Sequence, residues 1–167
     1  YWRRRRPRSA GDKYARREAT GMTDDAQGTH REVVHATGHE HVTAEHASTF
    51  EVTTDDWLTP AGDCILAVDA DRSPADFSDA FRDAVQDAAA TITMTLEVDD
   101  ATATFEGRGH PELALTDDRS MVGRTSTHVD DRTIMLEADG AAESVDRDVV
   151  DALADGADVR VVLEVTH

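Results

Sequence analysis

One cysteine, Cys64, cannot form an internal disulfide or a multi-cysteine zinc centre. No stretch approaches the roughly 18 apolar residues that a bilayer-spanning helix needs. Lysine occurs once, at position 13, and aromatics make up 5% of the 167 residues. A phosphate-binding Walker loop, a Gly-x-Gly-x-x-Gly turn, a Gly-x-Ser-x-Gly elbow and a Cys-x-x-Cys pair are all missing, so the short motifs that would name a reaction are missing too. What remains is expected to be cytoplasmic.

Charge divides the chain in two. Residues 1–21 carry eight basic groups and two acids, whereas residues 22–167 carry nine Arg against 33 acids, a net of −24. The first segment has no apolar stretch after its Arg run and no structural period, so it reads as a disordered basic extension upstream of a true start at Met22, not as an export signal. The acidic body repels phosphate backbones and anionic membranes, which disfavours non-specific nucleic-acid binding and membrane association.

Leu, Ile, Val and Phe number only 31, a composition that with this charge would read as disorder were the apolar residues not regularly spaced. The acids are spread along the body, Asp outnumbers Glu by 24 to 11, and Ala, Val and Thr stand where larger apolar residues are usual. A halophilic setting accounts for all three features, because molar salt shortens the Debye length to about 3 Å and screens carboxylate repulsion.

From Glu32 onward the periodicity predicts strands at Glu32 to His39, Ser48 to Thr53, Cys64 to Val68 and Thr91 to Val98. Between the last two lies a helix capped by Ser73, with Phe77, Phe81, Ala84, Val85 and Ala88 as its apolar stripe. The same order then recurs. Strands are expected at Thr102 to Gly109, Met121 to Val129 and from Thr133, then a helix capped by Ser144 and closed by Gly156, then a strand through Val159, Val161, Leu163 and Val165. Matching features lie 67 to 75 residues apart, with His39/His110 and Ser73/Ser144 both at 71. The expected fold is therefore α+β and predominantly β. It is one domain over 22–167 built from duplicated β-β-β-α-β units (about 32–99 and 102–166), with about eight mostly antiparallel strands and two helices in a sandwich or a barrel.

Candidate chemistry follows from the duplication. Gly38-His39 and Gly109-His110 end matching strands, so the two imidazoles are expected to face each other across a cleft between the repeats as acid and base, with Asp63 or Glu51 as the orienting carboxylate. Arg108, between two glycines, and Arg124 are expected to form an anion clamp. His39 and His41 are close enough on one strand to share an ion, with a third ligand to come from His46, Glu51, Asp63, Cys64 or the second repeat, but solvated histidines on an acidic surface are the favoured reading and no metal site is assigned; the cofactor and the oligomeric state stay open. Cys64 opens a core strand, where a thiol is usually a small hydrophobe.

Gly38-His39-Glu40-His41-Val42 through His46, Thr49, Glu51 and Thr53, then Leu58-Thr59-Pro60-Ala61-Gly62-Asp63-Cys64-Ile65, Gly107-Arg108-Gly109-His110-Pro111 and Arg124-Thr125-Ser126 together resemble the archaeal domain-of-unknown-function family 371. The resemblance covers about Glu32 to Val165 and implies an archaeal, largely β domain without an assigned activity; the polar motif positions that it carries over add Ser126, His46 and Thr49 as expected ligand-binding groups. This chain departs from the family pattern at His41, Ala47, Gly123 and Gly140, where Asn, Lys, a bulky apolar residue and Lys are expected. The first functional expectation is a small enzyme acting on an anionic phosphate or carboxylate metabolite; the alternative is a non-catalytic ligand- or RNA-binding module.

Overall fold

The computed structural model describes residues 29–167; the readings for residues 1–21 and for Met22 lie outside them. In chain order the elements are β1 (Thr29–Thr37), β2 (Thr49–Thr53), β3 (Ile65–Ala67), α1 (Asp79–Val85), β4 (Thr91–Val98), β5 (Ala101–Arg108), β6 (Ser120–Arg124), β7 (Thr133–Met135), α2 (Arg147–Ala154) and β8 (Asp158–Thr166). They build a β-rich α+β fold of two four-stranded sheets, ordered β1-β8-β4-β5 in sheet A and β3-β2-β6-β7 in sheet B.

Alternation drives both sheets. In β4, Ile92, Met94, Leu96 and Val98 are buried while the intervening Thr91, Thr93, Thr95 and Glu97 are half exposed, the period-2 pattern of a strand with one face on a core. β4 lies antiparallel to both β5 and β8 along its full length. In sheet B, β2 and β6 are antiparallel, whereas β3 and β7 lie parallel to them, each after a register shift. Single bridges, Thr37 to Val68 and Arg108 to Leu136, join the two sheets at two corners within residues 31–167. Phe50 of β2 stacks on Phe105 of β5 across the core, with ring centroids 3.8 Å apart.

Order and pairing read the same when β1 is exchanged with β5, β2 with β6, β3 with β7 and β4 with β8. Glu51 is paired with Val122, 71 residues on, and Thr95 with Val162, 67 residues on, so the axis of this exchange passes through the middle of each sheet. Backbone irregularities come in the same pairs. Ala44 and Leu115 adopt φ of 51° and 50°, and Asp69 and Glu137 of 56° and 51°. Such left-handed backbone is uncommon outside glycine and is held only where surroundings over-determine it. Arg147 of α2 donates to the Ala44 carbonyl and Arg82 of α1 to the Leu115 carbonyl, so each helix fastens the strained loop of the other half.

Three local expectations are corrected. Ser73 does not open a long helix: its N–H and hydroxyl donate to the Asp76 carboxylate, closing a single 3-10 turn at Pro74–Asp76, and Ser78 caps α1 by accepting from the Phe81 N–H. Ser144 ends the matching turn at Ala142–Ser144, its hydroxyl accepting from the Ala141 N–H, while Asp146 caps α2. Ser73 therefore corresponds to Ala141, not to Ser144. The strand expected over Met121 to Val129 stops at Arg124, because Ser126 and Asp130 accept the N–H groups of His128 and Arg132 and so compete with the sheet ladder. Gly156 does end α2 with a positive φ, 84°.

Candidate functional site

The two Gly-His ends are built alike. His39 Nδ1 accepts the N–H of His41 and its carbonyl accepts that of Val42; His110 Nδ1 accepts the N–H of Glu112 and its carbonyl that of Leu113. With Nδ1 an acceptor, the neutral ring carries its proton on Nε2. Each preceding glycine is pressed on the end of the other half's helix: a Cβ on Gly38 would lie 2.0 Å from the Leu153 carbonyl oxygen and one on Gly109 2.4 Å from that of Val85. These histidines thus close equivalent turns.

They do not face each other. Gly38 bonds to Ala157 just before β8, and Gly109 to Ala90 just before β4. Val159 of β8 is paired with Val98, at the far end of β4 from Thr91. Seven steps of about 3.3 Å put the two turns more than roughly 20 Å apart, at opposite ends of sheet A. The expected cleft with His39 and His110 as acid and base is overturned by this register. Arg108 goes with the His110 end, where it is exposed and donates to the Ala88 carbonyl, so it makes no clamp with Arg124. Ser126 is exposed in the loop after β6, accepting from the His128 N–H.

Other site candidates do converge, on the face of sheet B turned away from the Phe50–Phe105 stack. Alternation puts Thr49, Glu51 and Thr53 of β2 on that face, with Arg124, Val122 and Ser120 of β6 opposite them. The Thr53 end is closed, Ser120 donating to Thr53 with both residues buried. At the middle and the Thr49 end runs a connected polar set. His46 Nδ1 lies 3.1 Å from Thr49 Oγ1 and accepts the N–H groups of Ser48 and Thr49. Cys64 Sγ donates to Glu51 Oε1 at 3.5 Å, and Arg132 Nη1 stands 4.0 Å from the same oxygen. Arg132 Nη2 is 3.6 Å from Asp130 Oδ2, which takes a 2.8 Å bond from Arg124 Nη2; Arg124 Nε and Asp130 Oδ1 both bond to Thr133 Oγ1. Asp63 holds this end through its carbonyl, which accepts the N–H groups of Glu45 and His46.

Electrostatics sort these groups. Burial, then the Glu51 charge and its hydrogen bond, push the Cys64 thiol from an ordinary 9.0 up to about 11, against a lowering contribution from the Thr49 hydroxyl. Cys64 is therefore a protonated donor at neutral pH. Burial works to raise Asp130, but bonds from Thr133, the Arg132 N–H and Arg124 outweigh it and hold the carboxyl below its usual range. Alkylation checks the thiol. With thiolate as the reacting species, iodoacetamide at pH 8 is expected to modify Cys64 about 100-fold more slowly than an unperturbed thiol, and faster in Glu51→Gln. Because the folded value is the higher one, the thiol's contribution to stability is intact below pH 9 and lost between pH 9 and 11. Equal rates for native and urea-unfolded protein would refute the assignment.

Arg132, Asp130 and Thr133 were not singled out as site residues by the sequence. The usable signal is positional: the Arg132 carbonyl accepts the Val122 N–H as the Cys64 carbonyl accepts that of Glu51, so Cys64 and Arg132 are counterparts in the two halves. Among the described residues, no group of three or more His, Cys, Asp or Glu is placed to hold a metal ion, and no helix is long and apolar enough to cross a membrane.

Residues 34–166 match the family described as Domain of unknown function (DUF371). The chain is also 38% identical over 124 residues to the uncharacterised protein MJ0206 of Methanocaldococcus jannaschii, an alignment covering 74% of this chain and 91% of that protein. The fold and the polar face described above are thus those of a member of the DUF371 family, to which this chain belongs.

Proposed function

We propose that the chain binds a small anionic metabolite, a carboxylate or a phosphate, on the polar face of sheet B, with Arg132 as the group that takes the anion. The observation that carries this is the state of that guanidinium. It is 43% exposed and stands 3.6 and 4.0 Å from its two carboxylate neighbours, beyond the roughly 2.7–2.9 Å of a charge-assisted hydrogen bond, and its side chain makes no hydrogen bond among the described residues. Arg124, only 11% exposed, is by contrast filled by Asp130 and Thr133 and serves to hold Asp130 in place. Any acid–base step falls to Glu51, whose side chain is 11% exposed and is oriented by the Cys64 thiol; His39 and His110 keep a structural role. Thr49 and His46 complete the rim.

The acid excess favours a concentrated-salt setting, so the test is run in molar KCl. Thermal unfolding is followed with inorganic phosphate, dicarboxylates and phosphorylated sugars. At a ligand concentration of 100 times Kd the expected stabilisation is about 2.7 kcal/mol, a rise of roughly 5–10 °C for a domain of this size. Arg132→Ala is expected to abolish the rise while leaving the ligand-free transition within a degree or two. An equal rise in wild type and variant would refute the site.

A further inference from the structure

Arg132 stands between two carboxylates, so an anion that reaches it also meets negative charge. Its Nη1 is 4.0 Å from Glu51 Oε1 and its Nη2 3.6 Å from Asp130 Oδ2. An anion oxygen bonded to Nη1 at roughly 2.7–2.9 Å therefore lies within about 7 Å of the Glu51 carboxylate. Arg124 offers no relief, because Asp130 and Thr133 already fill it. Crowding of like charges is released when one carboxylate takes up a proton.

The surroundings decide which group takes it. At Asp130, against the effect of burial, bonds from Thr133, the Arg132 N–H and Arg124 hold the carboxyl below its usual range. Cys64 already carries its proton, since burial and then the Glu51 charge push the thiol up to about 11. His46 Nδ1 accepts the N–H groups of Ser48 and Thr49, so a proton there would face two donors, and Nε2 is already protonated. Both guanidinium groups stay charged. Asp63 acts on Cys64 through its charge, and Glu143, whose N–H donates to the His46 carbonyl, is exposed. Glu51 remains. Its side chain is 11% exposed, and its partners are the Cys64 thiol at 3.5 Å and Arg132 at 4.0 Å, neither as close as the 2.8 Å bond that Arg124 gives Asp130. The competing proton acceptor is His128, 65% exposed with Nε2 3.9 Å from Asp130 Oδ2.

We infer that the anion binds together with a proton, which the Glu51 carboxylate takes from solvent, and that the new carboxyl O–H donates to the anion beside Arg132. The inference rests on the anion site proposed above and adds the way pH controls it. One O–H bond forms and no other bond changes, so a group that repels the ligand becomes a donor to it. The Cys64 thiol donates to Oε1, which leaves Oε2 to carry the proton. Uptake of one proton per anion makes affinity rise as pH falls, by up to about tenfold per unit.

Isothermal titration calorimetry in molar KCl tests this with sulfate and oxalate, whose own charges are constant over the range used. Running the wild type in two buffers of different ionisation enthalpy counts the protons bound. The expected result is an uptake approaching one proton per anion, and affinity about 10-fold or more weaker at pH 8 than at about pH 5.5. Glu51→Gln, whose amide N–H stands in for the carboxyl O–H, is expected to bind without proton uptake and about 10-fold or more tighter than wild type at pH 8. His128→Gln is expected to keep the wild-type uptake. The proton count on the wild type decides the matter even where Glu51→Gln fails to fold. Binding that Arg132→Ala abolishes but that takes up no proton would overturn the inference and leave the anion site standing. Uptake that persists in Glu51→Gln and disappears in His128→Gln would overturn it in favour of His128, and a folded Glu51→Gln that binds neither anion would overturn it by making the carboxylate itself a required ligand group. No binding of sulfate, oxalate or inorganic phosphate at any pH would overturn both readings.

Discussion

Two fragments, residues 1–99 and 100–167, are expected to be unfolded when separate and to fold when mixed. The cut falls in the two-residue turn between β4 and β5, where Asp99 holds a φ of 53°, so it removes no strand pairing. What it exposes is the interleaving of sheet A. In the order β1-β8-β4-β5 the strands alternate between fragments, so each in-sheet neighbour of β4 and of β8 belongs to the other piece. Besides the single bridges Thr37 to Val68 and Arg108 to Leu136, the first fragment alone retains only the pairing of β2 with β3, and the second only that of β6 with β7. Pieces of this size are marginally stable even when their strands are paired, and here the longest strands lose the neighbours they pair with along their length. Circular dichroism and size exclusion are expected to show extended, non-cooperative chains separately and a cooperative thermal transition for the equimolar mixture. A cooperative transition in either fragment alone would contradict the interleaving. Recovery on mixing would also support the reading that the fold arose by duplication, since a self-associating ancestor of half the length would have made the same contacts between two chains.

The sequence carried much of this fold because local physics did. Period-2 alternation in β4 and β8, Gly156 after α2 and the repeated Gly-His ends are each decided within a few residues. Interleaving was not legible, because which strand pairs with which is settled by contacts 60 and more residues apart, as between Thr95 and Val162. The His39–His110 cleft failed for a related reason. In antiparallel strands exchanged by an axis, only residues at mid-strand meet their counterparts, as Glu51 meets Val122, whereas features at strand ends are carried to opposite edges. The matched histidines were conspicuous because they end strands, and that same position separates them. Of the residues gathered on this face, Glu51, Asp63 and Arg124 are named by their residue types, and Thr49 and His46 by the family resemblance. Arg132 and Asp130 were hidden in a run of charged loop residues, where neither spacing nor composition marks which guanidinium faces a sheet and which faces water.

Filling position 123 is expected to be among the most damaging single changes in the core. Gly123 pairs with Phe50, and a Cβ there would fall 2.0 Å from Phe50 Cζ, an overlap that no rotamer of the added side chain relieves because the Cβ itself is at fault. Nor can the ring retreat, because Phe50 is fully buried and stacked on Phe105 at an interplanar angle of 14°. Gly123 has no positive φ, so its backbone would accept a side chain, and without the ring Gly→Ala would gain up to about 1 kcal/mol through the unfolded state. Gly123→Val is instead expected to cost about 3 kcal/mol, the upper end for overpacking. Phe50→Val alone leaves a cavity at a cost of about 3 kcal/mol. Combined, the two substitutions refill the space from the opposite strand, and the double variant is expected to be less destabilised than the sum by about 2 kcal/mol or more. Urea unfolding of wild type, both single variants and the double variant yields this coupling directly. Additivity to within about 0.5 kcal/mol would mean that the ring does not lie over Gly123. The same argument accounts for the departure at this position from the bulky apolar residue that the family resemblance places there. A large side chain at 123 and a phenylalanine at 50 compete for one volume, so a relative that fills position 123 is expected to carry a smaller residue at 50.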